Sequence, residues 1–150
     1  MNDDFRDLLH AMLDAGARFL VVGAHAMAVH GTPRATGGLD VWVSPDPSNA
    51  DRVWQALEAF GAPLGERGVA REDLEARQMV IQIGVPPRRI DLLTGVSGLA
   101  FDEAWGSRVM HAVGSRAIPF LSRGHLIRNK RATRRAKDLA DLEILDAREE

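Results

Sequence analysis

The chain has 150 residues, 45% hydrophobic and 27% charged, which sets aside long disorder and allows one domain with a real core. It has no cysteine, so disulfides, thiolate zinc sites and a cysteine nucleophile are excluded together. The formal net charge of -2 argues against a generic nucleic-acid binder. The opening residues, MNDDFRDLLH, lack the basic-then-apolar layout of a signal peptide, and no apolar run approaches the roughly 20 residues that span a bilayer. The expectation is a cytoplasmic protein with no membrane partner.

In chain order, Asp3 or Asp4 can cap a first helix, with Phe5, Leu8, Leu9, Met12 and Leu13 as its apolar stripe and Gly16 as its stop. Phe19 to Val22 reads as a buried strand that Gly23 ends, and Ala24 to Val29 suits a short helix broken by Gly31 and Pro33. Leu39 to Val43 is a second strand, closed by Pro45 and Pro47. Ser48 can cap a third helix, Asn49 to Phe60, which Gly61 stops. Glu72 to Arg77 adds a helical turn after a loop. Met79 to Ile83 and Arg89 to Leu93 alternate as strands around the turn GVPP. A short helix over Asp102 to Arg108 precedes a strand pair, Val109 to Val113 and Ala117 to Phe120, around Gly114. Ser122 caps a helix running towards Lys130, and a last helix from about Lys137 to Arg148 presents Leu139, Leu142, Ile144 and Leu145 to the core. Mixed helices and strands without strict alternation predict an α+β domain over residues 1–150, a small mixed sheet flanked by helices with a helical C-terminal part.

Several segments could carry chemistry. In FLVVGAHAMAVHG a strand runs through Gly23 into a helix, a turn at which a phosphate can approach the backbone; glycine also serves such turns for geometry alone. In PRATGGLDVWV, Asp40 is a carboxylate in an otherwise apolar strand, either turned to solvent or held by a cation. Asp91 in RRIDLLTG is a second carboxylate of the same kind. Placed side by side, two such strands bring two hard oxygen donors to one ion, and magnesium suits that set because phosphates supply its other ligands. From Arg123 to Lys137 the chain carries seven Lys or Arg and no carboxylate, which forms either an anion site or a solvated basic helix end. His10, His25, His30, His111 and His125 lack zinc-site spacing and read as packing or surface residues, and Trp42, Trp54 and Trp105 read as packing.

Together, LVVGAHAMAVHGTPRATGGLDVWV, RIDLLT, GLAFDEAW and LIRNKRATRRAKDLADLE resemble the small bacterial nucleotidyltransferase-fold proteins of the DNA polymerase beta superfamily, related to AbiE-type toxins of toxin–antitoxin systems. The resemblance covers most of the chain. It implies that Gly23 and Ala24 form the nucleotide turn, that Asp40 and Asp91 are catalytic and bind Mg2+, and that Lys130, Arg135 and Lys137 bind the nucleotide. It further implies a nucleoside triphosphate as substrate, tRNA or a protein as acceptor, and a cognate antitoxin as partner. Relatives carry a further acid two residues before Asp40, on the same strand face; here that position is Gly38. Arg134 and Ala136 also differ from the commoner Gly and Pro of that loop. Two readings follow: an enzyme that transfers a nucleoside monophosphate, and a nucleotide- or partner-binding protein in which Gly38 has impaired catalysis.

Overall fold

The computed structural model describes residues 1–33 and 36–147. The first helix, α1 (Asp3–Asp14), is capped by Asn2, whose side chain accepts from the Phe5 N–H at 2.9 Å. Asp3 and Asp4 instead lie in the first turn, where their charge complements the helix dipole. Next come β1 (Phe19–Val22), α2 (Gly23–Val29) and β2 (Gly38–Val43). The third helix, α3 (Pro47–Phe60), is capped by Asp46, not by Ser48. Pro47 lacks the N–H that a first helical residue leaves unbonded anyway, so it belongs inside the helix and passes the cap to its predecessor. Gly61 closes α3 with φ +88°.

A 3-10 turn over Arg71–Glu75 leads to β3 (Val80–Ile83) and β4 (Arg89–Leu93). Then follow α4 (Phe101–Gly106), β5 (Val109–Val113) and β6 (Arg116–Phe120). The chain ends in α5 (Arg123–Thr133), capped by Ser122, and α6 (Ala136–Ala147); the expected helix end at Arg148 lies outside the described residues. Among the described residues no helix is long and apolar enough to cross a membrane.

The strands form one six-stranded mixed sheet in the order β3-β4-β2-β1-β6-β5. β1 runs antiparallel to β2 and parallel to β6, and β2 runs parallel to β4. All four residues of β1 are buried, which requires both sheet faces to be covered. Phe19, Trp42, Leu57, Ile90 and Phe120 are among the enclosed core side chains. α3 packs on α1, and α5 on α6. Asn49 fastens α3 to the strand ends: buried, it accepts from the Arg18 N–H at 2.7 Å and donates to the carbonyls of Arg18 at 3.0 Å and Ser44 at 2.9 Å. The mixed α/β architecture agrees with the expected class.

The last helix departs from expectation. Leu142 and Leu145 are buried, but Leu139 and Ile144 are exposed, while Asp138 and Asp141 are fully enclosed. The inward face of α6 is thus partly ionic, because it meets Lys130 of α5.

Candidate active site

β2 and β4 lie side by side in parallel, with Gly38 opposite Arg89 and Asp40 opposite Asp91. Register partners point to the same sheet face, so the two carboxylates expected from their apolar strands are neighbours. On the other side of β2, Asp40 pairs with Val22, the last residue before the Gly23 turn. Gly23 has φ +67°, and a Cβ there would overlap Oδ2 of Asp40. The glycine therefore supplies both a left-handed backbone and the space for the carboxylate.

These residues line a cavity of about 1250 Å³. Gly23, Ala24, Asp40 and Asp91 face it, as do Lys130, Arg135 and Lys137. All the residues expected at a nucleotide site thus share one cavity. Arg89, Asn129, Thr36 and Asp141 also line it and were not singled out in the sequence. Arg89 had a legible signal: it stands two residues before Asp91 and so shares its face.

The two carboxylates crowd each other. Burial first, then the charge of Asp91 and a hydrogen bond with its carboxyl group, push the Asp40 carboxyl above the usual range; the charges of Arg89 and Lys137 pull it down. Asp91 is buried, and its Oδ1 is enclosed without a hydrogen bond. Arg89 Nε stands 3.4 Å away, likewise enclosed and unbonded. A hard oxygen left unsatisfied beside a second carboxylate fits a divalent cation such as Mg2+, with phosphate and water as further ligands. Among the described residues no group of three or more His, Cys, Asp or Glu could hold a metal ion.

The cations differ in their availability. Lys130 is buried, with Nζ 2.7 Å from Asp141 Oδ2 and 3.6 Å from Asp138 Oδ1. Its ammonium ties α5 to α6 at the cavity wall. Arg135 donates from Nε to Asp138 Oδ2 at 2.8 Å, and its guanidinium is largely exposed. Burial would raise the Asp138 carboxyl, but hydrogen bonds from the Arg135 side chain, the Thr133 hydroxyl and the Arg135 backbone N–H outweigh it and hold the group well below the usual range. Lys137 is exposed on the cavity rim and, among the described residues, makes no ion pair or hydrogen bond. Arg131 points elsewhere, 3.8 Å from Asp146. Asp46, the nearest acid after the strand, bonds to the Ser44 hydroxyl and the Asn49 N–H, so it serves the helix cap.

The loop between α5 and α6 places Arg134 at φ +50°, the left-handed conformation that glycine adopts without a Cβ penalty.

No protein-family model matches the chain, and no curated protein matches its sequence.

Proposed function

We propose that this protein is a nucleotidyltransferase of the DNA polymerase beta superfamily that transfers a nucleoside monophosphate from a triphosphate to a hydroxyl of tRNA or a protein. The observation that carries this reading is the register of Asp40 with Asp91 beside the Gly23 turn, on the wall of a cavity large enough for a nucleotide. In the reaction, the acceptor oxygen bonds to the α-phosphorus, the bond from that phosphorus to the bridging oxygen breaks, and pyrophosphate leaves. Asp91 receives the acceptor's proton. Mg2+, when bound, neutralises charge on the phosphates and on the attacking and leaving oxygens. Asp40 and Asp91 would hold it, Gly23 leaves room beside Asp40, and Lys137 and Arg135, which line the same cavity, would meet the phosphates.

The test is incubation with Mg2+, α-labelled nucleotides and cellular RNA and protein. Label is expected on one acceptor class, and Asp40→Asn and Asp91→Asn each abolish it. Absence of both labelling and nucleotide binding refutes the proposal. A small antitoxin-like reading frame beside the gene supports the toxin assignment and a cognate antitoxin partner.

One observation favours a second reading, a nucleotide-binding protein without turnover. A Cβ at position 38 would overlap the main-chain carbonyl oxygen of Arg89, so the strand spacing leaves no room for the further acid of relatives. Nucleotide binding without label transfer is the outcome expected of that reading.

A further inference from the structure

Four side-chain positions meet at one corner of the cavity: Gly38 and Asp40 on β2, Arg89 and Asp91 on β4. The register places Gly38 opposite Arg89, and a Cβ on Gly38 would lie 3.2 Å from the Arg89 Cβ as well as overlapping its carbonyl oxygen. The corner therefore carries two carboxylates and a guanidinium. Such a corner attracts a divalent cation less than a purely acidic one does, and a phosphate more.

Arg89 is engaged by one long ion pair and has donors to spare. Its side chain is 38% exposed, and among the described residues it donates no hydrogen bond; its ion pair with Asp91 is 3.4 Å long. Lys130 and Arg135, by contrast, spend donors on Asp141 and Asp138. Among the described residues that line the cavity, Lys137 also keeps its donors open to a ligand. A guanidinium offers phosphate two parallel N–H donors, which an ammonium cannot.

We infer that Arg89 is a phosphate-binding residue that lets this cavity hold a nucleoside triphosphate without a divalent cation. The inference rests on the proposed nucleotide site and adds to it a fixed positive charge beside the two carboxylates. Lys137 lines the same cavity and supplies a second cation to the same phosphates.

The test is calorimetric titration of the four common ribonucleoside triphosphates into the full chain, once in EDTA and once in Mg2+. At least one nucleotide is expected to bind in EDTA within about tenfold of its affinity in Mg2+. Arg89→Ala weakens binding in EDTA about tenfold or more and weakens it less in Mg2+, and Arg89→Lys recovers part of the loss. Arg89→Gln keeps the stem and a polar head without the charge, and reads the same loss should the alanine variant fail to fold. Binding by the wild type only in Mg2+, or unchanged binding of Arg89→Gln in EDTA, overturns the role of Arg89. Mg2+-dependent binding that is lost in Asp40→Asn would still leave the nucleotide site standing. No binding in either buffer overturns both.

Discussion

Replacing Lys130 with methionine keeps most of the aliphatic stem and removes the ammonium. That ammonium is 2.7 Å from Asp141 and 3.6 Å from Asp138, its side chain is 8% exposed, and both acids have no exposed side-chain surface. Removing one partner of a buried ion pair costs about 3–5 kcal/mol, because the remaining charge stays buried. Asp138 keeps Arg135 and Thr133, so the lower end applies, about 3 kcal/mol. At about 2–4 °C per kcal/mol for a chain of this size, the melting temperature should fall by about 6–12 °C. Thermal and urea unfolding followed by circular dichroism read this directly. The loss should persist in high salt, since a buried pair is screened little. A single variant that melts within about 2 °C of the wild type would refute a structural role for the ammonium and return Lys130 to the ligand.

Gly23→Ala should cost about 1–2 kcal/mol in urea unfolding, because φ is +67° there, and should weaken nucleotide binding further by pushing aside the Asp40 carboxylate. Asp40 has a raised folded-state pKa, so its share of stability is present below the ordinary carboxylate range and lost as pH rises through the folded value. Asp40→Asn should therefore stabilise the ligand-free protein near neutral pH, on the order of 1 kcal/mol, with the gain vanishing in acid; equal gains at both pH values would contradict this. Asp138 has the opposite sign. Its carboxyl is held low, so its contribution is present above the ordinary range and lost as pH falls below it, and Asp138→Asn should flatten the acid limb of the unfolding midpoint. Gly38→Asp should destabilise by about 1–3 kcal/mol, as overpacking does, and unchanged melting would show that the strands part easily there.

Much of this was legible along the chain because local signals agreed. Phe19–Val22 and Arg89–Leu93 have the boundaries expected from an apolar run ended by glycine and from alternation after a turn. The caps were less legible: Asn2 and Asp46 each stand one or two residues before the expected cap, since cap identity depends on where the backbone turns extended. Lone carboxylates in apolar strands pointed to Asp40 and Asp91 because burying such a charge needs a reason. The ionic face of α6 could not be read from its own residues. Asp138 and Asp141 are enclosed because a lysine from another helix reaches them, and no periodicity within α6 encodes that partner. The crowding at Gly38 depends on the spacing of β2 and β4, which the sequence pattern does not set.

That spacing changes what a restored acid could mean. Read from sequence, Gly38→Asp rebuilds a missing ligand, and recovered activity would identify an inactivated enzyme. In the fold, the atom that a new Cβ meets is the Arg89 carbonyl oxygen, which belongs to the main chain and cannot swing aside as a side chain can. Relief requires β2 or β4 to move, and those strands hold Asp40 against Asp91. The substitution would thus add one carboxylate while displacing the two already in place. Truncating Arg89 does not remove the obstacle, because its carbonyl remains. A silent Gly38→Asp variant is consequently no proof that the native site is inert, whereas Asp40→Asn and Arg89→Gln probe the charges without adding bulk between the strands.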